Sequence, residues 1–547
     1  MNRIFILLFS LASTQLFAQY NFQVSKSLSE NFSDELVTIA EENGNVYLYD
    51  LVYMQLVKYD VANDKYASTD KNFFKEAGVI EPHSRFDQIE FLTDDYLVLC
   101  YFNSGFEKGK NSSVFVLYFD KNTMKFEKKV VHSFNMYEYK NNVTSGFNFD
   151  VSENRKYVSI QYKDIGDKNS VRKEEDSRHK FLLLDVENGN ITEIEDGSYL
   201  ANVERDKNRT SFYVKTHVSN SGSIYSLIVN RESYTTSKQT IFYYGDDKDK
   251  DDSKPYYREF VKFSKDEDPI SHEIKTDILN LELISTWNEA TQELYYIAFG
   301  FVGQREKYQK GVVNAYCYYK FDEDLELLNS TNEGTLDRDL IVEANQEIEF
   351  KELPDNSIGL ISFNLKELQI INNTPVLIFD HQVVQGYRDK YAKLFYPSFL
   401  VVYLDEKGEL EDYTLIKRWN SDQADPFGKK ICDYRILNSK DAIYIISNYN
   451  SRFEPFKGEK EFENGQLAYC KITNENVGCA NILEFKEANF FGVVNNQPFG
   501  VWAGLADLSN IQYNEGNYIM MFQQENKGNV PNDLKKYKYF YGNIKLK

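Results

Sequence analysis

Three observations predict an all-β fold, a single β-propeller of four-stranded blades. The first is the stretch 146–194, which holds two hairpins in succession, Phe149 to Tyr162 and Phe181 to Ile194. In each, a polar turn (Ser152-Glu153-Asn154, then Glu187-Asn188-Gly189) separates runs rich in β-branched and aromatic residues, the pattern of strands joined by a tight connection. Four strands in about fifty residues make one blade. The second observation is recurrence at a spacing of roughly sixty residues, a period that belongs to radial or solenoid arrays. The third is that Tyr96-Leu97-Val98-Leu99-Cys100 and Phe181-Leu182-Leu183-Leu184 are apolar on both faces, which suits a strand covered on each side by a neighbouring sheet.

The chain opens with a predicted signal peptide over residues 1–18. Arg3 gives a basic start, Ile4 to Leu11 is an apolar run too short to span a bilayer, and Leu16-Phe17-Ala18 offers small residues for cleavage before Gln19. No Cys stands at the cleavage point to take a lipid. The mature chain, with no run of eighteen apolar residues, is expected in the periplasm or outside the cell. The short Phe/Leu-rich leader ahead of a Tyr/Asn/Lys-rich chain looks like exported proteins of Bacteroidetes-type bacteria.

Basic residues number 63 against 84 acidic, leaving a formal net charge of −21. Such a surface repels phosphate backbones and anionic headgroups, so nucleic acid is not an expected partner. Five cysteines in 547 residues are too few for a disulfide-built scaffold, and the odd count leaves at least one unpaired. Cys470 and Cys479 sit opposite each other across a hairpin turning at Asn474-Glu475; a bridge and two ordinary buried thiols both fit this placement. Cys100, Cys317 and Cys432 read as small core residues.

Two kinds of segment alternate from residue 35 onward. Inner hairpins are predicted at 36–50, 87–105, 146–163, 199–218, 281–301, 348–364, 430–450 and 500–524. The segments that follow them are 56–68, 114–131, 181–194, 224–244, 315–329, 399–419, 467–485 and 537–547. Several of the latter share a strand ending in Asp before a turn: Tyr118-Phe119-Asp120-Lys121-Asn122, Leu184-Asp185-Val186-Glu187-Asn188-Gly189, Lys320-Phe321-Asp322-Glu323-Asp324 and Tyr403-Leu404-Asp405-Glu406-Lys407-Gly408. The Asp caps backbone N–H groups, and the Asn or Gly after it tolerates positive φ. Eight blades result, with seven if the short fourth unit is merged into its neighbours. The last unit has room for one strand only, so the stretch near Phe22 and Val24 is expected to supply the missing strand and close the ring. Helix has little place; 163–180, 245–279 and 329–347 are charged and read as surface excursions.

A membrane β-barrel needs longer strands with one continuously apolar face, and a string of β-sandwiches needs linkers, which ten scattered prolines do not supply. The hairpin from Phe149 to Ile160, followed by the one from Leu184 to Asn190, resembles repeats of the TolB-like and WD40-like propellers of bacterial exported proteins. The usual Pro-Asp-Gly turn is Glu153-Asn154-Arg155 here, and no Gly-His or Trp-Asp dipeptide marks the blades. What the resemblance implies is architecture, and fold does not dictate function.

No residue is singled out as catalytic, cofactor-binding or metal-ligating. The six histidines (83, 132, 179, 217, 272 and 381) never fall at i, i+2 or i, i+4 spacing and read as surface or satisfied core residues. Gly-x-Ser-x-Gly elbows and Gly-rich phosphate loops are absent. Asp247, Asp249 and Asp251 alternate as in a calcium loop, but Asp252 stands where the Gly is needed and Arg258 where the bidentate Glu belongs. Aromatic clusters at 242–244, 256–257 and 387–396 suit blade packing, or stacking on a sugar or peptide. The expected function is binding or scaffolding of a protein or glycan partner by one rim of the ring. The alternative is a periplasmic hydrolase of glycans or peptides with carboxylates in the central channel. Intact mass spectrometry of the exported protein is expected to give a chain starting at Gln19; a chain that keeps Met1 and stays in the cytoplasm would overturn the export assignment.

Overall fold

The structure, a computed structural model, describes residues 23–24, 36–50, 52–60, 63, 65–76, 88–103, 112–134, 148–164, 178–194, 209–232, 234–236, 239–241, 258–265, 267–274, 276, 278–302, 312–345, 359–385, 393–423, 434–438, 441–450, 465–484, 517–525 and 537–545. Among them, antiparallel sheets follow one another in chain order. Sheet 1 is Leu36–Glu42, Asn45–Asp50, Gln55–Asp60 and Lys65–Ser68; sheet 2 is Gln88–Leu92, Tyr96–Asn103, Ser112–Asp120 and Phe126–Phe134. Sheet 3 is Asn148–Val151, Tyr157–Asp164, Arg178–Asp185 and Asn190–Ile194; sheet 4 is Arg209–Val218, Ile224–Glu232, Arg258–Phe263 and Ile270–Ile274. Sheet 5 is Leu279–Asn288, Glu293–Phe301, Ala315–Phe321 and Leu327–Thr335. Sheet 6 is Phe363–Ile371, Thr374–His381, Lys393–Leu404 and Leu410–Gln423, with Val383–Gln385 added beside its third strand. Sheet 7 is Tyr434–Asn438, Ile443–Asn450, Gly465–Ile472 and Val477–Glu484. Sheet 8 joins Asn517–Glu525 and Tyr537–Lys545 to the N-terminal Gln23–Val24, which pairs through Gln23↔Asn543 and Val24↔Gly542.

In sheets 2 to 6 the strands are apolar on both faces because each of these sheets is packed on both. In sheet 2, Leu97 and Leu99 join Tyr47, Tyr49 and Leu56 of sheet 1, while Val98 and Cys100 between them join Val158, Ile160, Leu182 and Leu184 of sheet 3. The same alternation runs through Phe181 and Leu183 against Ile224 and Val261, then Tyr225 and Leu227 against Leu294 and Tyr296. It continues with Tyr295 and Ile297 against Leu377 and Leu400, then Val376 and Ile378 against Ile443 and Ile445. Each such side chain contributes about 1.5–3 kcal/mol by leaving water. The first strands of sheets 1 to 6 touch in succession, while fourth strands carry the exposed Tyr66, Val131, Ile270 and Leu328. First strands are therefore innermost.

Turns cap as expected. Asp120 Oδ1 accepts from the Asn122 and Thr123 N–H groups, Asp185 Oδ1 from Asn188, Asp322 Oδ1 from Asp324 and Glu326, and Asp405 Oδ1 from Lys407 and Glu409. The positive φ falls on Gly189 and Gly408 in two turns but on Met124 (58°) and Leu325 (57°) in the others. Both are buried in the inter-sheet core, and that burial offsets the roughly 1–2 kcal/mol of left-handed backbone strain. These turns also dock on the preceding sheet. Tyr47 Oη donates to the Lys121 carbonyl, Tyr225 Oη to that of Glu323, and Asn329 to that of Glu406; a Cβ on Gly408 would lie 2.1 Å from the Tyr318 ring.

Two units depart from the expected boundaries. In the fourth, the predicted pair 199–218 and 224–244 gives way to a hairpin of 209–218 with 224–232, and the third and fourth strands come from 258–274, inside the predicted surface excursion 245–279. Charged Glu259 and Lys262 are buried there at 2% and 9% exposure, which hides the strand from a hydrophobic pattern. In the sixth, the inner hairpin is 363–381, not 348–364; Asn372 and Asn373, both at positive φ, make its turn, and Pro375 near the start of the second strand masks it. The excursion 329–347 contains the end of a strand and the helix Arg338–Asn345, whose Leu340, Ile341 and Ala344 are buried; with the single turn Phe73–Glu76 it makes up the helix among the described residues. The predicted leader and the loop 242–257 lie outside the described residues.

Cys470 and Cys479 are bridged, with Cα atoms 4.0 Å apart. The Thr473 N–H to Asn476 carbonyl bond makes 473/476 a hydrogen-bonded pair, so counting back along the register leaves 470/479 a close, non-hydrogen-bonded one. Cys100 and Cys317 are buried thiols; Cys432 lies outside the described residues. Alkylation in denaturant without reductant is expected to label three cysteines and with reductant five. Labelling of all five without reductant would exclude the bridge.

A candidate site on the innermost strands

Charged side chains are unusual on strands packed at the centre of a β array, and here they occur at a recurring irregularity. The first strand of sheet 4 shifts register between Tyr213 and Lys215, that of sheet 5 between Leu279 and Glu282, and that of sheet 6 between Leu365 and Glu367. A bulge adds a residue to one strand, tightens its twist and re-aims the next side chain. In all three sheets that next residue is charged: Lys215, Glu282 and Glu367. Sheet 1 shifts at the same place but is followed by Ala40.

In sheets 3, 5 and 6 an acid of the first strand is tied to the following sheet. Val218 N–H donates to Asp150 Oδ2 at 2.8 Å, Leu365 N–H donates to Glu282 Oε2, and Asn438 Nδ2 donates to Glu367 Oε1 at 3.2 Å. Between sheets 4 and 5 the link is neutral, with His217 Nε2 and Ser285 Oγ 2.9 Å apart and both side chains buried. Lys215 is exposed although it stands on an innermost strand. Among the described residues no carboxylate lies within ion-pair distance of it. Its charge nevertheless acts on Asp150 in sheet 3 and on Glu367 in sheet 6. The first strands of sheets 3 to 6 therefore run close enough for the Lys215 charge to be felt on either side of its own sheet.

Electrostatics follow from that placement. Burial pushes the Asp150 carboxyl up to about 6, opposed by the Val218 N–H and the Lys215 ammonium. Glu367 is also raised by burial, with Lys215 and Asn438 pulling it back, and Glu282 by burial, with the Leu365 N–H and Lys366 opposing. Burial and Lys215 push His217 down to about 3, so its ring is neutral at ordinary pH. The innermost strands thus carry two exposed lysines, Lys215 and Lys366, and three acids whose burial makes them hold protons more tightly than usual.

None of these residues was marked by sequence motif. The detectable signal was a charged residue inside the apolar first strand of a repeat, at Asp150, Lys215 and Glu367. His217 and His381 are buried, and His272 packs edge-on against Phe321. Among the described residues no group of three or more His, Cys, Asp or Glu side chains is arranged to hold a metal ion. No helix among them is long and apolar enough to cross a membrane. The acidic loop at 247–252 and the aromatic clusters at 242–244 and 256–257 lie outside the described residues, as does 387–392 of the third cluster.

No family matches the sequence, and no curated protein resembles it. Among solved structures, YCF48 from Cyanidioschyzon merolae aligns over 82% of this chain and 99% of its own, at 8% identity and a TM-score of 0.34. The Dos1 propeller aligns over 74% and 73% at 8% identity and a TM-score of 0.32. The β-propeller domain of the trilobed protease from Pyrococcus furiosus aligns over 81% and 96% at 8% identity and a TM-score of 0.31.

The Asp150 environment sets a sign for pH dependence. A carboxyl moved from 3.8 to about 6 is stabilising in the folded state while protonated, and that increment is lost as pH rises through 6. Unfolding free energies of D150N and wild type, measured from pH 4 to 8, are expected to diverge in favour of D150N by up to about 3 kcal/mol. Comparing the two proteins cancels the opposing contribution of His217, which weakens the fold as pH falls below 6.5. A flat difference would mean that Asp150 is well solvated.

Proposed function

We propose that the chain is an exported eight-bladed β-propeller whose ring is closed by the pairing of the N-terminal strand with the last one, and that it binds a protein or glycan partner. The supporting observation is burial at the ends of the sheet series. Val46, Leu48, Val57 and Tyr59 lie on the face of sheet 1 turned away from sheet 2, and Tyr444 and Ile446 on the face of sheet 7 turned away from sheet 6; all are at 6% exposure or less. An open stack leaves its two end faces in water, whereas a ring with sheet 8 between sheets 7 and 1 covers both.

The partner face follows from chain direction. In an antiparallel meander the first-to-second and third-to-fourth turns share one end. There no turn is longer than the connection 264–269, and neighbouring turns bond to one another through Asn154, Asn220 and Glu289. The long connections 165–177, 233–257, 336–362 and 424–433 all leave from the other end, which makes that end the adaptable one.

The raised carboxyls of Asp150 and Glu367 favour a second reading, hydrolysis of a glycan or peptide with one of them as general acid. A panel of chromogenic glycosides and peptides at pH 6, run beside a glycan and envelope-protein array, separates the two. Saturable binding without product release supports the binder. Product release that falls about a hundredfold or more in D150N or E367Q replaces it with the hydrolase.

A further inference from the structure

We infer that Cys479 is a thiol-exchange site, where a small-molecule thiolate opens the Cys470–Cys479 bridge and enters a mixed disulfide while sheet 7 stays folded. The inference goes beyond the partner-binding reading and does not depend on it.

The first argument is access. The bridge joins the third and fourth strands of sheet 7, and its two halves stand in different surroundings. Cys470 is opposite Ile445 of the second strand, so both lie on the face that packs on sheet 6 through Ile443, Ile445 and Ile472. Cys470 is 8% exposed, whereas Cys479 on the fourth strand is open to solvent. Exchange begins when a thiolate strikes one sulfur from the side away from the other, and access decides which sulfur that is. Exposure gives the approach to Cys479 and withholds it from Cys470.

The second argument is what remains when the bond opens. Backbone pairing from Gln466↔Glu484 to Ile472↔Val477 fixes the register of the two strands. The turn is closed by the Thr473 N–H to Asn476 carbonyl bond, and the Thr473 hydroxyl accepts from the N–H groups of Glu475 and Asn476. Ile472 and Val477 pack into the contact with sheet 6. None of these contacts involves sulfur. The bridge spans a sequence separation of 9, and a short loop is where a cross-link restricts the unfolded chain least.

The chemistry balances. The incoming thiolate bonds to Cys479 Sγ, the Cys470–Cys479 S–S bond breaks, and Cys470 leaves as a thiolate that takes a proton from water. A second small thiolate then attacks the external sulfur of the adduct, releasing Cys479 and a small disulfide, so that the bridge gains two electrons and the small thiols lose them. With its Cα 4.0 Å from that of Cys479, Cys470 is also placed to displace the adduct and restore the bridge, which makes the site an exchanger.

Native thiol chemistry on the full chain tests this at about pH 8, where an ordinary thiol is partly ionised. Dithiothreitol is expected to open the bridge with the near-UV circular dichroism unchanged. Iodoacetamide added to that folded, reduced protein is expected to label Cys479 at least about tenfold faster than Cys470, by peptide mass mapping. In folded C470S, which lacks the displacing thiol, oxidised glutathione is expected to load one glutathionyl group on Cys479. Three results each overturn the proposal: a bridge that opens only as the dichroism is lost, Cys470 labelled as fast as Cys479, or a folded C470S that takes no glutathione at Cys479. The two wild-type measurements decide the matter if C470S does not fold.

Discussion

Sheets 1 to 7 each have two apolar faces, and that constraint organises the rest. A four-stranded sheet with Leu97 and Leu99 on one side and Val98 and Cys100 on the other is insoluble alone and half-covered by a single partner. Only a series in which each sheet is both cover and covered removes all of that surface from water. The same packing explains why polarity rises away from the first strands, with the second and third strands buried and the fourth strands largely exposed.

Face-to-face apolar packing is non-directional, so it leaves neighbouring sheets free to slide. Directional contacts fix them. At one end the Asp-capped turns dock on tyrosines and asparagines of the preceding sheet, and along the axis Asp150, Glu282 and Glu367 hold the next inner strand by hydrogen bonds. An acid placed where water is scarce is costly unless its charge is satisfied or neutralised, and these three are both hydrogen-bonded and shifted toward the protonated form. Interlocking by acids therefore produces, as a physical by-product, an axis with perturbed carboxyls. Lys215 and Lys366 are exposed on the same strands and act on these acids through charge.

How much was legible can be judged residue by residue. The hairpins at 36–50 and 146–163, the Asp-ended turns and the strand opposition of Cys470 and Cys479 were readable because each depends on neighbours within about ten residues. Sheet 4 was misread where buried Glu259 and Lys262 interrupt the apolar pattern, and sheet 6 where Pro375 sits in a strand. In both cases tertiary burial overrode the local preference. Met124 and Leu325 show the same override at the scale of one dihedral, since a positive φ that sequence assigns to Asn or Gly is held by side chains locked in a core.

Sequence by itself determined the all-β class, the repeating four-strand unit, the turn chemistry and the acidic surface, because periodicity, capping and net charge are properties of short segments or of their sum. Tertiary structure alone decided which charged residues meet. Asp150, Lys215 and Glu367 are separated by 65 and 152 positions in the chain, and no local pattern links them. Lys215 and Glu367 each follow a bulge while Asp150 sits in regular register, and all three are brought onto neighbouring first strands by packing between sheets.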